Sequence, residues 1–251
     1  MELTIKQIQD YTYCPKFYKL CHIDNLKKSK DANIENHFKN AVERTMYHFF
    51  YCVQDGNIPS LRELKKKFGD LYIGERTLAE TMLLGRSSRD LATVLEKKST
   101  TMLSNFYDKY STEHGVPILV DKEYELKINE VVVKGNIPII RETPEHTIEM
   151  LHFYIDTTRD MKNVMPLALR YNISTVISTF AFEKIYGTMV ENTCYGVISG
   201  KSLSVRAPKT QFNRLSNMIT AISTAIENEL FYPVMNNNCI NCAYNKICAR
   251  N

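Results

Sequence analysis

ILVDKEYELKI at 118–128 and VVVKGNIPII at 131–140 are separated only by Asn129 and Glu130, and the reading of this stretch decides the fold. Each run reads as a strand, and the short connection pairs them. A third strand, HTIEMLHFYID at 146–156, follows a Thr-Pro turn. Downstream, a helix is expected from about Pro166 to Tyr186. Two strands near 191–199 and 202–207 flank Ser199-Gly200-Lys201, and a last helix spans about 208–231.

Upstream of Gly115-Val116-Pro117 the texture is helical. Residues 4–20 read as a short helix broken at Cys14-Pro15, with Tyr11, Tyr13, Phe17 and Tyr18 crowded around the break. From about Glu35 to Cys52, Phe38, Val42, Met46 and Phe49 recur at helical spacing. Pro59-Ser60 precedes a basic helix from Leu61 to Phe68, and a long helical stretch covers roughly 75–111. The predicted order is therefore helices, three strands, helix, two strands, helix. That is an α/β chain with a helical region at 1–115, a mixed α/β core at 116–235 and a cysteine motif at 236–251, all in one compact unit.

The chain has 251 residues, 44% of them hydrophobic and 24% charged, a globular composition long enough to bury a full core. No window approaches 18 consecutive apolar residues, and MELTIKQIQDYTYCPK shows no charged-then-apolar leader, so a soluble intracellular protein is expected. Seven cysteines in that setting point to metal or cluster ligation rather than disulfides. The net charge of +4 is mild. It gathers in runs at Lys27, Lys28 and Lys30, at Lys65, Lys66 and Lys67, and at Lys97 and Lys98, which suit phosphate backbones or simply face solvent.

The most specific motif is CINCAYNKIC, which sets Cys239, Cys242 and Cys248 in a loop-like stretch after three asparagines. A Cys-x-x-Cys loop lets two thiolates reach one centre, and the third follows within another turn. Three thiolates are one short of the four that a cubane cluster or a structural zinc takes. Cys14 is the natural fourth, held by its proline in an aromatic turn. Spacing alone leaves iron and zinc both open. Cys21, Cys52 and Cys194 read as small buried hydrophobes.

A Cys-Pro-x-x-Tyr/Phe start, a histidine on the first long helix, strands with a Gly-x-Ile step and a closing Cys-x2-Cys-x5-Cys together resemble the RecB-like PD-(D/E)XK nucleases. The likeness is narrower still to their iron–sulfur branch, which includes the CRISPR-associated RecB-like nuclease and the nuclease domain of AddB-type helicase subunits. The resemblance implies a restriction-endonuclease-like core and a 4Fe-4S cluster on Cys14, Cys239, Cys242 and Cys248 that staples the two ends of the chain.

Carried over residue by residue, the catalytic positions are degenerate. The family's histidine falls on His37. Its metal-binding aspartate falls on Pro138 in Gly135-Asn136-Ile137-Pro138, and the acid and lysine of the next strand fall on His152 and Tyr154. Residues 160–190 contain no glutamine for the family's Gln-x-x-x-Tyr helix. Hard dications need carboxylate oxygens, so no catalytic magnesium is expected. A migrated, softer site for manganese or zinc would use His37, His152 and Asp156, since Asp156 shares a strand face with His152 while Glu149 lies on the other.

The expectation is a catalytically inactive nuclease-like protein that binds DNA, with Lys65, Lys66, Lys67, Lys27 and Lys28 as contacts, and docks on a larger replication, recombination or transcription complex. An active metal-dependent nuclease with a moved site, and a protein–protein adaptor or inhibitor mimicking a nuclease, are the alternatives. Abundant Asn, Lys and Ile suggest an AT-rich genome, as in a virus or plasmid.

Overall fold

A computed structural model describes residues 1–26, 34–80, 86–155, 172–206, 209–235, 239 and 242–248, and gives the backbone alone for 34–36, 74–80, 86–93 and 209. The chain is mixed α/β, with a six-stranded mixed sheet flanked by helices. It opens with β1 (Glu2–Thr4), a strand the sequence pattern did not reveal because three residues carry no periodicity. Thr4 then caps α1 (Ile5–Tyr13): its hydroxyl accepts from the Gln7 N–H at 3.2 Å, and the Gln7 side chain accepts from the Thr4 N–H at 2.8 Å.

The break at Cys14-Pro15 is where the sequence places it. Cys14 is extended (φ −170°, ψ 119°), and Pro15 starts the short helix α2 (Pro15–Tyr18) at a position whose missing N–H costs nothing. A π-helical turn, Lys19–Ile23, follows. The long helices α3 (Ile34–Gln54), α4 (Leu61–Glu80) and α5 (Arg86–Glu113) come next; α4 runs well beyond Phe68 because Gly69 lies inside it rather than at its end.

The decisive stretch folds as β2 (Val116–Ile128) and β3 (Val131–Glu142), antiparallel around a turn in which Asn129 takes φ 52°. The strand β4 (Ile148–Tyr154) is antiparallel to β3, and β5 (Glu191–Gly196) runs parallel to β4. At the far edge β6 (Lys201–Val205) is antiparallel to β5. β2 lies along one side of β3, whose other side is shared by β1, parallel at Val132–Lys134, and by β4 at Ile139–Glu142. Thus the N-terminal segment contributes a strand to the core sheet. The helices α6 (Ile173–Tyr186), capped by Asn172 and ended by Gly187 at φ 69°, and α7 (Lys209–Glu227) complete the layers; α8 (Asn245–Cys248) closes the described chain.

Two apolar layers hold the sheet. One packs Phe38, Phe49, Phe50, Phe68, Tyr72, Phe106 and Tyr110 of α3–α5 on Ile139, Leu151 and Tyr195. The other packs Ile8, Ile177, Phe182, Phe212 and Ile219 of α1, α6 and α7 on Val133, Ile137, Ile140 and Met150. Most of the aromatic surplus is therefore core, not a stacking surface.

Strand alternation would put Ile137 and Ile139 on one face, yet they enter opposite layers. The switch sits where Asp121, at φ 48°, stands between the pairs Val120↔Ile139 and Lys122↔Ile137, across from Pro138, which has no N–H to give the ladder. Here the strand pair turns and a cleft opens.

Candidate functional site

The four cysteines singled out in the sequence come to one place. Cys14, Cys239, Cys242 and Cys248 all line a cavity of about 260 Å³, walled also by Tyr13, Phe17, Val234 and Tyr244. Backbone bonds clamp the two ends of the chain around it. The Lys16 N–H donates to the Tyr232 carbonyl at 3.1 Å, and the Val234 N–H points to the Cys14 sulfur at 3.5 Å. The Tyr11 hydroxyl donates to the Leu230 carbonyl at 2.7 Å, and the Tyr244 hydroxyl to the Leu26 carbonyl at 2.8 Å.

In the closing loop the Cys242 N–H donates to the Cys239 carbonyl at 3.3 Å and the Cys248 N–H to the Tyr244 carbonyl at 2.8 Å. These two turns aim the three loop thiols at the side where Cys14 stands. Burial pushes the Cys242 thiol up, and the neighbouring cysteines add to the rise. A cation among the four would be held by their thiolate forms, since the thiolate is the metal ligand and binding releases the thiol protons. Among the described residues no three of these sulfurs lie within 4.8 Å of one another.

The residues aligned with a nuclease site are distributed differently. Pro138 and His152 line one cleft of about 740 Å³ between α1, α3, α6 and the β2–β3 pair. Gly135 lets α1 approach this strand: a Cβ there would lie 2.6 Å from Ile5 Cδ1. His152 is half-buried, its Nε2–H donating to Asn192 Oδ1 at 3.0 Å, an oxygen that also accepts from the Thr179 hydroxyl at 2.9 Å. Tyr154 does not line the cleft; it packs with Cys194, Leu203 and Val205 beside β6. His37 is half-buried at the start of α3 and is not among the residues lining that cleft. Asp156, Lys27 and Lys28 lie outside the described residues.

Glu149 is turned into the α3–α5 layer. Its carboxylate takes Arg141 Nε at 2.6 Å and the Thr193 hydroxyl at 2.6 Å, and the Arg141 guanidinium also reaches the Glu113 carbonyl and lies 4.9 Å from the Tyr110 ring centre. It is a structural acid.

Sequence reading missed two acids. Glu43, on α3, lines the cleft with Tyr47, and burial followed by the charge of Asp121 raises its carboxyl above the usual range. Asp121 itself accepts from the Asn136 side-chain amide at 2.7 Å. Both also line an adjoining hollow of about 450 Å³ with Arg44, Tyr51 and Lys67. Helical periodicity around Phe38, Val42 and Met46 contains no mark that Glu43 turns inward; the left-handed Asp121 opposite a proline is a three-dimensional fact.

Burial pushes the His152 imidazole below its ordinary 6.5, with the Asn192 hydrogen bond pulling the other way. The unfolded chain therefore takes up this proton first. Folding stability is unaffected above about pH 6.5 and falls as pH drops below it. Thermal melts from about pH 7 to about pH 5.5 are expected to show that fall and to lose part of it in His152→Gln. An unchanged slope in the variant would move the effect elsewhere, for example to His48, whose imidazole burial also lowers.

Among the described residues no helix is long and apolar enough to cross a membrane. Compared with known proteins, the chain matches no family model and no curated sequence.

Proposed function

We propose that this chain is a nuclease-like iron–sulfur protein without a hydrolytic centre, which binds DNA and docks on a larger nucleic-acid-processing assembly inside the cell. The observation that carries the reading is four thiols, one from the N-terminal segment and three from the C-terminal loop, around a single cavity. The resemblance to the iron–sulfur branch of the RecB-like nucleases favours a 4Fe-4S cluster there over the zinc ion that the same four thiols could also hold. When bound, the cluster supplies a rigid cross-link between the ends of the chain. The order of strands and helices is in keeping with a restriction-endonuclease-like core and with the resemblance to the RecB-like nucleases.

The positions aligned with the catalytic acids do not fit a hard dication. Pro138 has no ligand atom, His152 is a neutral nitrogen base, and Tyr154 packs elsewhere. The cleft is not a phosphate trap either, since Lys6 and Lys134 are matched there by Glu43, Glu123 and Glu125. The lysine run of α4 supplies the better surface: Lys65 and Lys66 are exposed, while Lys67 is half-buried against the hollow beside α3.

DNA binding is expected to weaken steeply with salt, each neutralised phosphate adding about 0.9 to the log–log slope. Changing Lys65, Lys66 and Lys67 together to Gln should reduce that slope by about 2–3 and leave the circular dichroism unchanged. Salt-insensitive binding, or none at low salt, would favour a protein–protein adaptor.

A second reading, an active nuclease with relocated acids, is favoured by Asp121 standing across from Pro138 with Glu43 beside it. The assay is cleavage of single- and double-stranded DNA with magnesium and with manganese at enzyme excess. No cleavage is expected. Metal-dependent cleavage lost in Glu43→Gln and Asp121→Asn, or in Asp156→Ala, would replace the binding reading by the enzymatic one.

A further inference from the structure

A second group of metal-ligating side chains lies outside the four-cysteine cavity. Asp10, Cys21 and His22 place one ligand atom each within 4.8 Å of one another, the sole such group among the described residues. Asp10 is a buried carboxylate at 4% exposure on α1, facing the π-helical turn that carries the other two. The wide winding of that turn, seen in the Asp24 N–H donating to the Lys19 carbonyl at 2.9 Å, sets the adjacent Cys21 and His22 closer together around the axis than an α-turn would. Such insertions recur where side chains are gathered for a task. Cys21, which reads in the sequence as a small buried hydrophobe, is half-buried and stands beside Asp10 and His22.

We propose that Asp10, Cys21 and His22 bind a borderline divalent transition metal such as zinc, distinct from the group held by Cys14, Cys239, Cys242 and Cys248. The donor set is one carboxylate oxygen, one thiolate and one imidazole, the mixture that suits zinc and its neighbours rather than magnesium or calcium. The two oxygens of Asp10 are already divided for it. Oδ1 takes Lys6 Nζ at 2.6 Å, and Oδ2 meets His22 Nε2 at 2.9 Å. A metal between Oδ2 and Nε2 replaces the shared proton and leaves the Lys6 bond to Oδ1 in place, where it holds the carboxylate in orientation. Lys6 is 64% exposed, so its contact with Asp10 is an adaptable surface pair and not a competing buried charge. Three protein ligands leave the fourth position of a tetrahedral ion to water or to a partner. Tyr244, inside the closing cysteine loop, reaches Cys21 as well as the Leu26 carbonyl, so the site abuts the staple between the two chain ends.

The probe is Co²⁺ added anaerobically to protein already loaded with iron and sulfide, followed by desalting. One cobalt per chain is expected, with the visible bands of a four-coordinate ion and one thiolate-to-cobalt charge-transfer band. Iron content and cluster absorption should stay unchanged. Cys21→Ser should abolish the charge-transfer band, and His22→Gln should weaken binding at least tenfold, with Asp10→Asn as the independent variant should either fold poorly. Cobalt that is not retained, or that binds the variants equally, overturns the site. Cobalt carrying a multi-thiolate spectrum that is lost in Cys242→Ser but kept in His22→Gln also overturns it, and in addition shows the four-cysteine cavity to be a single-ion site.

Discussion

Cys14→Ser is expected to empty the four-cysteine cavity and to lower the melting temperature as much as Cys242→Ser does, although 228 positions separate the two residues in a chain of 251. Cys14 lines the same cavity as the three C-terminal thiols, and the Val234 N–H is spent on its sulfur. Binding free energy at such centres is largely folding free energy, about 10–16 kcal/mol for structural zinc peptides. Losing one ligand of four removes several kcal/mol of that, comparable with the whole stability of an ordinary domain. At about 2–4 °C per kcal/mol for a chain of this size, the drop should be of the order of 10 °C or more. Cys52→Ser serves as the control: Cys52 sits on α3 beside His48, and its thiol is pushed up by burial. Full iron content and an unshifted melt in Cys14→Ser would remove Cys14 from the centre.

Arg141→Met should destabilise the fold by about 3–5 kcal/mol, because it strands a buried carboxylate. Glu149 is 7% and Arg141 5% exposed, and their pairing joins β3 to β4 while the guanidinium reaches back to the C-terminal end of α5. The Thr193 hydroxyl alone cannot compensate the charge that remains. Replacing both partners, Arg141→Met with Glu149→Leu, should recover most of the loss, since a well-packed apolar pair is often as stable as a buried ion pair. Chemical denaturation of the four proteins measures this directly. Additive losses in the double variant would contradict the pairing as the source of the effect.

Much of the fold was legible in the sequence because its signals are local. The β2–β3 pair is continuous and its turn is marked by Asn129; the Cys14-Pro15 break and the helical repeats of α3 are of the same kind. β1 was not legible, since three residues gain strand character only from Val132–Lys134 beside them. The gathering of the four cysteines around one cavity was legible for a different reason: Cys-x2-Cys-x5-Cys is a rare spacing, and only Cys14 had to be brought in from afar. The cleft was half legible. Its Gly-x-Ile step marks the right strand, yet Gly135 is explained by the close approach of Ile5, and the acids that face the cleft, Glu43 and Asp121, come from a helix and from a left-handed strand residue. The trio Asp10, Cys21 and His22 was hidden because a π-helical turn does not follow the helical period by which side-chain faces are read.

The most direct measurement is the metal and sulfide content of the protein purified without oxygen. Occupation of the four-cysteine cavity by a cluster predicts a brown protein, a broad absorption shoulder near about 400 nm, and roughly four irons with matching acid-labile sulfide per chain. Colourless protein with one zinc bound by the same four cysteines, or with no metal and a full melting temperature, would contradict it.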